Sequence, residues 1–211
     1  MQLLNLDGMA VFGPGSEWLW TMAQFLALSL TGLAIFRQLR AQRWGNELQL
    51  LARLADEMLA EQMIRHKVAA LIHIAQKRPA LSPSLEFVAN WFDGTAETMY
   101  GGYLKPELAI REWGDVVQYW WALTTPILSE ARASNPGLWT SFERWAADSA
   151  DRDRKSGTVK DLTPESMDRW TSEAIPFFIE RLRIRREMKV GFIPVWPVPD
   201  IALPTDGETA A

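Results

Sequence analysis

Nineteen consecutive residues, Trp18 to Phe36, carry no charge: WLWTMAQFLALSLTGLAIF. At about 1.5 Å of rise per residue, a helix of that length spans about 28 Å. The hydrocarbon core of a bilayer is about 30 Å thick. The stretch therefore predicts a transmembrane helix. It divides the chain into a short tail, an anchor and a large polar remainder. Thr21, Ser29 and Thr31 lie inside the span, where a hydroxyl can bond back to the helix's own carbonyls. Gln24 needs a partner for its amide in lipid. Trp18 and Trp20 at one end and Trp44 beyond the other are placed as interfacial aromatics.

Charge sets the expected direction. Asp7 and Glu17 precede the span with no Lys or Arg, and Arg37, Arg40 and Arg43 follow it. The positive-inside rule puts residues 1–17 outside and the C-terminal part in the cytoplasm. The membrane-interface set is thus Trp18, Trp20, Arg37, Arg40, Arg43 and Trp44. A cleaved signal peptide is the competing reading. It requires a basic leading region and a small-residue cleavage site. The first is missing, and Gly32-Leu33-Ala34 is a poor form of the second.

The 211 residues include no Cys, which excludes a disulfide framework and thiolate metal ligation. Charge is uneven. Residues 37–78 hold eight basic and four acidic groups, whereas residues 79–150 hold four and nine. The basic excess follows the anchor, where anionic lipid attracts it. The acidic middle argues against nucleic-acid binding.

Beyond the anchor the pattern is helical. Leu48, Leu51, Leu54, Ala55, Met58 and Leu59 recur at three- and four-residue steps. Either one helix runs on from the membrane to Lys77, or two helices break near Glu61. Ser84 is placed as the cap of a helix that Gly101-Gly102 stops. Lys105-Pro106-Glu107 starts another, in which Pro126 removes a bond to the Ala122 carbonyl and predicts a kink. A short helix is expected from Leu138 to Ala147. The charged stretch 148–163 is expected as an exposed loop, and Thr163-Pro164-Glu165 opens a final helix. Phe192 to Pro204 holds four Pro and is expected to be extended. The fold class is all-α: residues 18–36 as the span, a cytoplasmic bundle of five to seven helices over 37–190, and a Pro-rich tail over 191–211.

Residues 17–132 resemble an uncharacterised family of small single-span bacterial membrane proteins. The resemblance is carried by RQLRAQRW after the span, by EFVANWFDGTAETMYGGYLKPELA, and by WGDVVQYWWALTTPILSEAR with its aromatic pair, Pro and closing Arg. It implies an all-helical domain tethered to the bacterial inner membrane, and it implies no reaction.

No catalytic, cofactor or metal residues are expected. His66 and His73 are seven apart, about 10 Å along one helix face, and read as partly solvated. Glu107, Glu112 and Asp115, and the pair Asp93 and Glu97, read as solvated faces rather than acid–base groups. Arg181, Arg183, Arg185, Arg186 and Lys189 form a basic cluster that reads first as a solvated face at a helix C-terminus, with contact to anionic lipid or an acidic partner as the alternative. Pro194, Trp196 and Pro197 form a PxxP-type segment, a candidate for partner binding. Its apolar neighbours favour packing of Phe192 to Leu203 into a groove of its own domain, with Trp196 as anchor, over a free ligand segment. The expected function is a membrane-tethered interaction module without catalytic activity, part of a signalling, stress or defence assembly. Its expected partners are the lipid bilayer, an unidentified protein and a second copy of the chain through Ala23, Ala27 and Thr31. The alternative is a small-ligand sensor or enzyme with a pocket between Trp-rich helices.

Overall fold

The computed structural model describes residues 17–78 and 80–187, with side chains as far as Ile184. The described residues form six helices and no strand. These are α1 (Glu17–Met58), α2 (Glu61–Ala75), α3 (Pro83–Tyr100), α4 (Pro106–Ser134), α5 (Thr140–Lys155) and α6 (Pro164–Glu187). The chain divides into two units, residues 1–49 and residues 50–211.

The first unit contains most of α1. This helix is long and apolar enough to cross a membrane by length and composition, and its most apolar 18-residue window has no buried residue. Phe25, Leu28, Leu30 and Phe36 are all more than 60% exposed. The hydroxyls of Thr21 and Thr31 donate to the carbonyls of Glu17 and Ala27, at 2.9 and 2.8 Å, so neither brings an unpaired group to the helix surface.

The second unit begins inside α1, where Leu54 and Met58 turn into the core. Of the two arrangements open for residues 41–78, the structure has the break, and it falls at Leu59-Ala60. No Gly or Pro marks it. Ala60 is extended, with ψ 147°, and makes no side-chain cap. At its other end α2 closes with Lys77 in the left-handed region, φ 51°, where Gly is usual.

The α3 cap is Ser82, not Ser84: its hydroxyl accepts from the Leu85 N–H at 3.2 Å, and Pro83 fills the first helical position. Ser84 is thereby carried inside the helix and is buried. Gly101 and Gly102 end α3 as expected. The Gly102 φ of 83° lets the Tyr103 N–H reach the Thr98 carbonyl at 3.2 Å. Helix α4 is continuous from Pro106 to Ser134 through Pro126, with the hydroxyls of Thr124 and Thr125 on the carbonyls of Trp120 and Trp121 one turn earlier.

The largest correction concerns residues 148–155. Expected as loop, they are the second half of α5. Ser149 is fully buried and its hydroxyl donates to the Trp145 carbonyl; Asp153 is buried as well. Arg152 donates to the Ile110 carbonyl of α4 at 2.8 Å. Tertiary bonds hold this polar half in the helix, which its composition alone does not predict.

Helix α4 packs mainly against α5, α2 against α6 and α3, and α3 against α5. Their common core is aromatic. Phe92 stacks on Phe142 with ring centroids 4.8 Å apart, and Trp145 meets Phe92 and Trp113 edge-on. Trp170 of α6 stacks on Tyr119 at 5.3 Å and meets Trp120 edge-on. Trp113, Trp120, Trp139 and Trp145 are buried, whereas Trp18, Trp20 and Trp44 on α1 are exposed. The two groups separate into core and α1 surface.

Candidate functional site

A cleft of about 250 Å³ opens on the second unit between α4, α5 and the segment before α6. Trp121 and Ala122 of α4 form one wall, Ala146, Ala147 and Ala150 of α5 the other, and Leu162 closes an end. The cleft exists because α5 presents small side chains where α4 presents an indole. The helices can also approach closely beside it. A Cβ placed on Gly114 would lie 3.2 Å from the Ser149 hydroxyl oxygen.

Two polar groups border the cleft. Glu143 pairs with Arg132 at 2.8 Å, and the Arg132 guanidinium lies 6.0 Å from the Trp121 ring centroid. Gln118 is the inner one. Its amide nitrogen donates to Asp153 Oδ2 at 2.9 Å. Asp153 Oδ1 accepts twice from Arg152, at 2.8 and 3.2 Å. Burial pushes the Asp153 carboxyl up. The bonds from Gln118 and Arg152, with the charges of Arg152 and Lys160, outweigh it and hold the group below the usual carboxylate range. Asp153 is therefore an ionised, structural acceptor. The wall suits an apolar group with one polar atom, and no nucleophile stands on it.

The carboxylates singled out in the sequence are scattered. Glu97, Glu107 and Glu112 are exposed. Asp115 pairs with Lys160 at 3.0 Å. Asp93 is structural. Its Oδ1 accepts the Phe142 N–H at 2.8 Å and so caps the first turn of α5 from another helix. Beside it, Asn90 accepts the Trp139 indole N–H at 2.7 Å and holds that residue at φ 54° before the helix starts.

The histidines require a correction. His66 is buried, not partly solvated. Its ring stacks on Phe87 at 4.1 Å, and Nδ1 lies 3.2 Å from the Ser84 hydroxyl. Burial lowers its pKa, so the ring is neutral at pH 7. His73 is partly exposed, with Nε2 2.6 Å from the Ala80 carbonyl oxygen. Among the described residues no three His, Asp or Glu side chains converge as a metal site would need.

One group was missed in the sequence. Lys67 is 1% exposed; it donates to the Met58 carbonyl at 3.1 Å and lies 5.5 Å from the Phe178 ring centroid. Burial lowers its pKa to about 7. The signal was present: Met63, Ile64, Lys67, Val68 and Leu71 fall at helix-face spacing, so the lysine sits on an apolar stripe.

Trp18, Trp20, Arg37, Arg40, Arg43 and Trp44 are on α1 and lie at its surface. Arg181 and Arg183 are exposed on α6, with Arg181 over the Phe177 ring at 5.1 Å. The side chains of Arg185, Arg186 and Lys189, and the segment with Pro194, Trp196 and Pro197, lie outside the described residues. The chain matches no family model, and no curated protein or solved structure is similar to it.

Proposed function

We propose that this chain is a membrane-tethered helical interaction module: α1 anchors it and the α2–α6 bundle meets a protein partner. The observation that carries the reading is the wholly exposed apolar window of α1. Transfer of each exposed large side chain out of water is worth about 1.5–3 kcal/mol, so a run of them favours a bilayer strongly. The arginines after Phe36 orient the bundle to the cytoplasmic side of a bacterial inner membrane.

The test is fractionation with alkaline carbonate, together with a reporter fused after Ala211. Retention of the protein in the membrane pellet and cytoplasmic reporter activity are expected. Release by carbonate removes the anchor, and periplasmic activity reverses the orientation. A second reading, a small-ligand sensor, is favoured by the α4–α5 cleft. It predicts that a small molecule co-purifies with the detergent-solubilised chain, and that Ala146→Phe, which fills the cleft, abolishes that retention.

A further inference from the structure

A second, smaller apolar cluster adjoins the main core through Phe178. Ile64 and Val68 of α2 close on Leu182 of α6, with Ile72, Phe178 and Ile179 around them. The cluster is small, and it is what holds the later half of α6. Lys67 lies beside it. Leu59 and Ala60 donate to the carbonyls of Ala55 and Glu57, while the Met58 carbonyl at the end of α1 takes the Lys67 amine. One amine therefore joins the end of α1, the middle of α2 and the Phe178 face of α6.

A protonated lysine has three donors. Here it has one carbonyl and a ring face, and no ion pair among the described residues. The charged and titratable groups on the surrounding elements are committed elsewhere or stand at the surface. On α1, Glu57 pairs with Arg53 and Asp56 is exposed. On α2, Glu61 pairs with Arg65, and His66 lies against Ser84 and Phe87. On α3, Glu86 is exposed. On α6, Glu180, Arg181 and Arg183 are exposed.

We propose that α2 and α6 form a proton-operated joint: uptake of a proton by Lys67 releases the later half of α6 and uncovers Ile64, Val68 and Leu182. The cause is hydration. The neutral amine is content with the Met58 carbonyl, whereas the ammonium gains water only when Phe178 and Leu182 move away. Joint closure and the Lys67 proton compete. The amine titrates at about 7 when closed and near 10.5 when hydrated, so the open form holds more protons between those values. Opening becomes more favourable as pH falls across that window and levels off below about 7. The open fraction grows by up to about tenfold per pH unit within the window.

The experiment is hydrogen exchange by mass spectrometry on the full chain in detergent at pH 7 and pH 9, corrected for intrinsic exchange. Peptides within residues 176–187 should open at least tenfold more at pH 7, while peptides from α3 stay unchanged. Lys67→Met should abolish the difference and leave the joint closed at both values. Lys67→Gln keeps a donor for the Met58 carbonyl without charge and serves if the Met variant fails to fold. Because the chain has no Cys, a nitroxide on Ile184→Cys gives an independent measure. It should gain a mobile component at pH 7 that is missing at pH 9. Equal exchange and equal mobility at the two values overturn the proposal, as does a pH effect that persists without the lysine.

Discussion

Asp153→Asn tests the polar network behind the cleft. The substitution keeps the shape and removes one acceptor and the charge. The carboxylate accepts three bonds, one from Gln118 and two from Arg152. An amide turned either way directs its NH₂ at one of these donors. If it faces Gln118, a buried donor is left unpaired, at a cost of about 1–3 kcal/mol. If it faces Arg152, two charge-assisted bonds go, worth about 1.5–3 kcal/mol each in a buried setting. The Arg152 side chain is 40% exposed, so water recovers much of the second loss. The expected net loss is about 2 kcal/mol at pH 7, or roughly 4–8 °C for a domain of this size. The pH profile carries the sign. The folded-state carboxyl lies below its unfolded value, so its stabilisation is complete above the ordinary carboxylate pKa and is lost as pH falls through the folded one. Wild type and variant should therefore differ at pH 7 and converge as pH falls through the lowered folded-state value. Urea titration by circular dichroism at several pH values reads both quantities. A loss below about 0.5 kcal/mol, or a difference constant with pH, refutes the network as described.

Gly114→Val should cost about 1–3 kcal/mol, since its branched side chain enters the space of Ser149, and Ser149→Gly in the same chain should recover part of the loss; thermal melts measure both. Trp145→Phe should change stability by less than about 1 kcal/mol, because the indole nitrogen is buried without a partner among the described residues and removing it offsets the small cavity. A loss above about 2 kcal/mol would mean that the nitrogen is bonded. Deleting residues 191–211 should lower the melting temperature and raise dye binding if Phe192 to Leu203 packs on its own bundle; unchanged values favour a free partner-binding segment.

How far the sequence predicted these features follows from what each residue answers to. The long apolar N-terminal helix, the all-helical pattern and the starts at Pro106 and Pro164 were legible, because apolar period, Pro at the first turn and Gly at the end act locally. The break at Leu59-Ala60 has no local signal. It is held by Leu54 and Met58 entering the core and by Lys67 on the Met58 carbonyl. The second half of α5 was hidden by its charge. Phe142, Trp145, Ala146, Ser149 and Asp153 continue one helical stripe, but its last members are polar and depend on α4 for partners. The cleft was illegible, since it depends on alanines of one helix facing an indole of another. Which indoles meet in the core was equally illegible.

The capping of α5 by α3 has a consequence for the order in which the bundle forms. Asp93 and Asn90 supply the first turn of α5 with its acceptor and fix the left-handed Trp139 ahead of it, across 49 residues of chain in each case. Alone, α5 lacks a side-chain cap of its own and is rich in charge, so its nucleus is costly. During synthesis α3 and α4 emerge first, and the seat for the first turn of α5 exists before α5 does. Helix α5 is therefore a late element that crystallises onto a finished surface, and a peptide of residues 139–156 on its own should remain largely unstructured in water.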